Sequence, residues 1–175
     1  MAVIAACVCA RSGSAASAPT EYQLKAAFLM NFAKFTDWPA HSFKTPQSPI
    51  NICVIGDDPF KADLDDTVRG QTAGNRGLAV RRISQLQPGD NCHILFVGLN
   101  ERERFERILG ALKNHACLTV GEEMEFAQAG GMINLLVEDR KIRFEVSLDV
   151  AEKAGLKISS RLLKLAKTVR DRRKN

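Results

Sequence analysis

Two aspartates, Asp57 and Asp58, follow the apolar run Ile52-Cys53-Val54-Ile55-Gly56, and Thr119 stands in a later apolar segment. An acidic pair after a first buried strand, with a hydroxyl further along, is the pattern of a phospho-receiver site. Phosphotransfer also needs an acceptor aspartate at the end of the middle strand. That strand ends Phe96-Val97-Gly98-Leu99-Asn100, with no acid. The two aspartates therefore read as a helix cap. A hydrolase needs a nucleophile held by a base, and none of His41, His93 and His115 lies in a nucleophile motif. Glu122, Glu123 and Glu125 sit where a helix would start, and acids there simply favour its dipole. Gly70 to Gly77 lacks the Lys-Ser/Thr ending of a phosphate loop. No C-x-x-C or paired histidines suggest zinc. The reading is a binding protein with no catalytic residues, metal or cofactor.

The cysteines carry the remaining covalent chemistry. Cys53 lies in an apolar segment and Cys92 immediately precedes another. In an oxidising compartment the two can pair, and closing a loop of about 40 residues adds roughly 4 kcal/mol in the chain-entropy treatment. Cys117 then remains as a small buried hydrophobe. The compartment is argued from residues 1–18: Ala2 to Ala10 is apolar and small, and Ala16-Ser17-Ala18 is an A-x-A cleavage site before Pro19. This is the shape of an export signal, although no Lys or Arg precedes the apolar stretch. Either the start lies upstream or the segment is a tail. Cys7 and Cys9 would leave with the signal.

These groups must be positioned by one domain of 19–175, since 175 residues suit a single core. Tyr22 to Trp38 has the spacing of an amphipathic helix, with Leu24, Ala27, Phe28, Phe32 and Phe35 on one stripe and Thr20 as its cap. Pro39 ends it. Ile50 to Ile55, His93 to Val97 and Cys117 to Val120 read as short buried strands. Leu78 to Ile83 alternates like a half-exposed one. Glu101 to Leu112 and Glu122 to Gln128 read as helices, the second stopped by Gly130-Gly131. Met132 to Val137 and Lys141 to Val146 form a hairpin. Strands alternating with helices imply a layered α/β sheet. The hairpin and the helix-free link from Ile83 to His93 argue that it is mixed, though mostly parallel.

Charge is uneven. From Lys153 onward there are nine basic residues and one acid, whereas 19–152 carry fifteen basic residues and nineteen acids. Such a tail can steer an acidic partner. Nucleic acid is a poor fit, because no aromatics are interleaved with the cations. The tail reads as a basic helix capped by Ser159 or Ser160, with Leu162, Leu165, Ala166 and Val169 on its apolar stripe. Arg161, Lys164, Lys167 and Arg170 face outward. Arg143 and Glu145, two apart on one strand, share a face and read as a surface charge pair or a bridge to the tail. Trp38, beside Pro39, is the best single binding aromatic. Trp38, Arg143, Glu145, Arg161, Lys164 and Lys167 are thus the candidate partner-binding residues.

Six ordered blocks resemble YfiR-like proteins. They are Tyr22 to Pro39, Ile52-Cys53-Val54-Ile55-Gly56-Asp57-Asp58-Pro59-Phe60, Cys92 to Gly98, Leu118 to Gly121, Gly130-Gly131-Met132-Ile133-Asn134, and Ala154 to Ala166. The resemblance implies a periplasmic α/β protein, often a homodimer. Such proteins restrain an inner-membrane diguanylate cyclase by binding its periplasmic sensor region, and an outer-membrane OmpA-type lipoprotein draws them away. It also implies a cysteine pair matching Cys53 and Cys92; a second pair found in some relatives has no match, since Cys117 stands alone. A periplasmic small-molecule-binding module serving another signalling system is the alternative, and would need a pocket near Trp38.

Overall fold

Thr20 begins the fold by a reciprocal cap. Its hydroxyl accepts the Gln23 N–H at 3.2 Å, while the Gln23 side-chain oxygen accepts the Thr20 N–H at 3.0 Å. Helix α1 (Glu21–Lys34) follows and ends four residues before its apolar spacing suggested. Thr36–Asp37 instead forms strand β1, because Pro39 disfavours helix in the residue before it and Thr36 finds a strand partner in Ile158. The computed structural model describes residues 18–171, except 88 and 114 and the side chains of 100 and 102. Residues 1–17 of the expected export signal, with Cys7 and Cys9, lie outside the described residues.

The chain continues through β2 (Ile50–Ile55), α2 (Ala62–Val68), β3 (Thr72–Ala73), β4 (Arg76–Ile83), β5 (Ile94–Val97), α3 (Phe105–Ala111) and β6 (Leu118–Gly121). Then come α4 (Met124–Gln128), β7 (Ile133–Glu138), β8 (Lys141–Ser147), α5 (Leu148–Lys153), β9 (Lys157–Ile158), α6 (Ser160–Leu163) and β10 (Thr168–Arg170). The main sheet has eight strands in the order β10-β8-β7-β6-β5-β2-β4-β3, and β1 pairs separately with β9. Strands β4, β2, β5, β6 and β7 are mutually parallel. β8 runs antiparallel to β7, β10 follows β8, and β3 is antiparallel to β4. The sheet is mixed and mostly parallel, in a single α/β domain. The helix-free link from Ile83 joins two parallel strands on either side of β2, so the antiparallel character comes from the hairpins alone.

Alternation along the central strands supplies two cores. Ile52, Val54, Phe96, Val120 and Phe144 face α1 and α2, where Phe28 and Phe32 pack edge-on to Phe144 with ring centroids 5.7 and 5.3 Å away. The α1 aromatic stripe is core. Cys53, Leu95 and Val97 face α3 and α4 through Phe105, Ile108 and Phe126. The Gly130-Gly131 stop also has a packing reason: the Phe126 ring occupies the space that a Cβ on Gly121 or Gly131 would need.

The tail departs most from expectation. The expected basic helix lasts only from Ser160 to Leu163, capped by the Ser159 hydroxyl on the Arg161 N–H at 3.1 Å. The chain then turns, the Lys167 N–H reaches the Phe144 carbonyl at 2.8 Å, and Thr168–Arg170 becomes a strand beside β8. Two causes favour this. β8 has an edge whose backbone groups need partners, and the β-branched Thr168 and Val169 suit a strand. Consequently Leu165 and Val169 are 68% and 40% exposed, and of the expected stripe only Leu162 is fully buried.

Candidate functional site

In parallel α/β sheets ligands favour the crevice beyond the carboxyl ends of the strands where strand order reverses. Here that point lies between β2 and β5. It is filled from within: the buried Glu101 side chain reaches over Gly56, its Cγ 2.7 Å from where a Cβ would stand. Gly98 presses on the Asp57 carbonyl, which a Cβ would approach to 2.7 Å. Asp58 spends one oxygen on the Phe60 N–H at 2.8 Å and the other on Arg82 Nε at 2.6 Å. It caps the turn before α2, not the helix itself. The Thr119 hydroxyl accepts the buried Met132 N–H at 3.1 Å. Of the receiver-like residues, Asp58 and Thr119 are thus spent on structure.

Cys53 and Cys92 form a disulfide, with Cα atoms 5.7 Å apart. Cys117 is buried, and desolvation pushes its thiol up to about 12, so it stays protonated and inert. Beside the disulfide, His93 organises an aromatic cluster. Its ring stacks on Phe43 at 4.5 Å and meets Trp38 edge-on at 6.0 Å, while its carbonyl accepts the Trp38 indole N–H at 3.0 Å. Nδ1 accepts the Asn51 backbone N–H at 3.1 Å, so Nε2 carries the proton, 3.2 Å from the Ser42 carbonyl.

Burial holds the His93 imidazole below its ordinary 6.5, opposed by the Ser42 hydrogen bond and helped by Arg76. A proton on Nδ1 would also face the Asn51 N–H. Stability from neutral His93 is therefore complete above about pH 6.5 and is lost as pH falls toward the lower folded value. Urea unfolding at pH 7.5 and pH 5 should show a loss that is smaller in His93→Gln. An equal loss in both proteins would assign the acid sensitivity to carboxylates alone.

Sequence spacing missed an ion pair at the other end of the sheet, where β6 leaves it. Lys25 of α1 bonds Glu122, at the start of the β6–α4 loop, and Glu21 at 2.5 Å; the Lys25 and Glu122 side chains are each 4% exposed. Tyr22 adds its hydroxyl to Glu122 at 3.4 Å, and its ring lies 4.7 Å from the Lys25 ammonium. Glu122 is a buried counter-ion, not a dipole-favouring surface acid. The signal was long-range: the two partners are 97 positions apart.

The expected partner-binding residues fall into two groups. Trp38 is half-buried and follows β1, whereas Ser159 and α6 leave the other end of the β1–β9 ribbon. Arg161 and Lys164 are exposed on and just after α6, and Arg143 is exposed on β8. None of these three is ion-paired among the described residues. Glu145 does share the Arg143 face, but its partner is Arg170 at 2.7 Å; Lys167 pairs with Glu138. The charge pair expected within β8 is thus a bridge to the tail. Leu165, Val169 and Val137 are exposed apolar side chains, and the pairing register puts Val169 and Val137 on the sheet face opposite Glu145.

Among the described residues, no helix is long and apolar enough to cross a membrane, and no cluster of His, Cys, Asp and Glu could hold a metal ion. Compared with known protein families, residues 22–167 match a domain family described as YfiR/HmsC-like. That span runs from the first turn of α1 to just before β10, so it takes in both cores, the disulfide and the tail as far as Lys167. The chain belongs to the YfiR/HmsC-like family.

Proposed function

We propose that this protein is an exported, non-enzymatic repressor that acts in the periplasm. It binds the sensor region of an inner-membrane diguanylate cyclase and lowers cyclic-di-GMP, and an outer-membrane OmpA-type lipoprotein competes for it. Family membership supports the class of role. The observation that supports the binding mode is the tail itself: Leu165 and Val169 are exposed there, as are Arg161 and Lys164, which have no carboxylate partner among the described residues. Exposed apolar side chains set among unpaired cations suit the apolar centre and charged rim of a non-obligate interface. Lys167 extends the rim, Arg143 and Glu145 add contacts from the other face of β8, and Trp38 is a separate anchor. A homodimer would present two such surfaces. Repression follows if the inactive conformation of the sensor binds this surface more tightly than the active one.

Reversing the charges with Lys164→Glu and Lys167→Glu should slow association on the order of tenfold at low ionic strength and much less at high salt. The cyclic-di-GMP level in cells should rise accordingly. Unchanged levels with an intact fold would remove the tail from the interface.

A further inference from the structure

Between the end of α1 and the β3–β4 turn lies a cavity of about 230 Å³ whose walls include Trp38, Phe43, Ile50 and Thr36, with Lys34 and Arg76 facing it. Three described cations are buried or half-buried: Lys25, Arg76 and Arg104. Lys25 and Arg104 pair with carboxylates. Arg76 does not. Its guanidinium lies 3.6 Å from the Phe43 ring centroid, and one amino group donates to the Thr45 and Ser48 carbonyls at 3.1 and 2.8 Å. A guanidinium carries five N–H donors, so Nε and the second amino group keep unspent ones. Lys34 bonds only the Gln71 side-chain oxygen, at 2.9 Å. Asp37 is the acid in the lining, which leaves the wall net positive. The Thr36 hydroxyl, in the same wall, is buried without a hydrogen-bond partner.

We propose that this cavity binds a small organic carboxylate. The carboxylate meets the free N–H edge of Arg76, a planar fork matched to two oxygens, and the short carbon chain lies against Trp38 and Ile50. Size decides the class: drug-sized ligands use about 300–1,000 Å³, so this cavity suits a molecule of a few carbons. Both faces of Phe43 are already covered, by Arg76 and by His93, so ring stacking there is closed to the ligand.

Trp38 is the sole tryptophan, so its emission reports on the cavity directly. The full chain would be titrated with straight-chain carboxylates from acetate to hexanoate, with butylamine and with inorganic phosphate. The expected result is a saturable change with at least one carboxylate and none with butylamine. Arg76→Gln should weaken binding about tenfold or more. The exposed Lys34→Gln should weaken it less and decides the matter if Arg76→Gln does not fold. No saturable response to any carboxylate, an equal response to phosphate, or affinity unchanged in the folded variants would overturn the proposal. The titration reads binding alone, so its outcome is independent of cyclase repression.

Discussion

Removing the Cys53–Cys92 bond in a Cys53→Ala/Cys92→Ala variant should lower the unfolding free energy by about 4 kcal/mol. The melting temperature should fall by roughly 8–16 °C. The bond spans 39 positions and closes a loop containing α2, β3 and β4. Without it the unfolded chain regains that loop's freedom, while the folded chain loses little packing, since alanine still fills part of each buried position. Cys53 is fully buried in the α3–α4 core and Cys92 nearly so, so the effect will fall somewhat above the entropic figure where the vacated volume does not collapse. Cys117 offers no alternative partner while the fold is intact, because its thiol is buried and protonated. Denaturant unfolding of the oxidised protein, the reduced protein and the double variant measures the difference. A loss below about 1 kcal/mol would mean that the unfolded chain is already restrained by residual structure.

The second large effect is expected at Lys25. Lys25→Met leaves the Glu122 carboxylate buried without its ammonium, and breaking such a pair from one side costs about 3–5 kcal/mol. Replacing both partners, as in Lys25→Met/Glu122→Leu, should recover most of that loss, because an apolar pair carries no desolvation penalty. Burial alone pushes the Lys25 ammonium down, but the hydrogen bonds to Glu122 and Glu21, with their charges, outweigh it and hold it above its ordinary 10.5. The stabilisation is then full below about pH 10.5 and is lost as pH rises through the higher folded value. Unfolding followed across pH 9 to 12 should show this decline in the natural chain and not in the double variant. If the single variant is as stable as the natural chain, the pair is not holding α1 to the β6–α4 loop.

What could be read in advance follows the range of the interaction. The α1 stripe, the buried strands at Ile50 to Ile55 and Ile94 to Val97, and the Gly130-Gly131 stop rest on contacts with a short period or on local backbone chemistry, and all are present. The cysteine pairing was open in the sequence as two cysteines beside apolar segments and was favoured by the family resemblance; the adjacency of β2 and β5 that allows it appears only in the fold. The tail was misjudged because Leu162, Leu165, Ala166 and Val169 also fit helical spacing. The competing demand, an unpaired edge on β8, belongs to a strand some twenty positions earlier. Lys25 on an amphipathic helix reads as a solvated lysine, and nothing near it in sequence announces Glu122. The same holds for Arg76, Phe43, His93 and Trp38, which four separate segments bring together.

The candidate contact surface shows both sides of this limit. Arg161, Lys164 and Arg143 were recognised by charge, and the structure leaves them exposed. Their apolar neighbours were taken for a buried stripe, because exposure of Leu165 and Val169 depends on where the chain turns after Leu163. Displacing these residues from a helix into a turn and an edge strand is what supplies the apolar centre of the proposed interface.

The central claim is tested most directly by binding the protein to the isolated periplasmic sensor region of a membrane diguanylate cyclase from the same organism, and by following cyclase turnover in vesicles that contain the full-length enzyme. The account predicts saturable binding, with cyclic-di-GMP synthesis falling in proportion to occupancy and restored in Lys164→Glu/Lys167→Glu. Turnover that is unaffected at saturating repressor, or a small metabolite consumed catalytically by the purified chain, would contradict it.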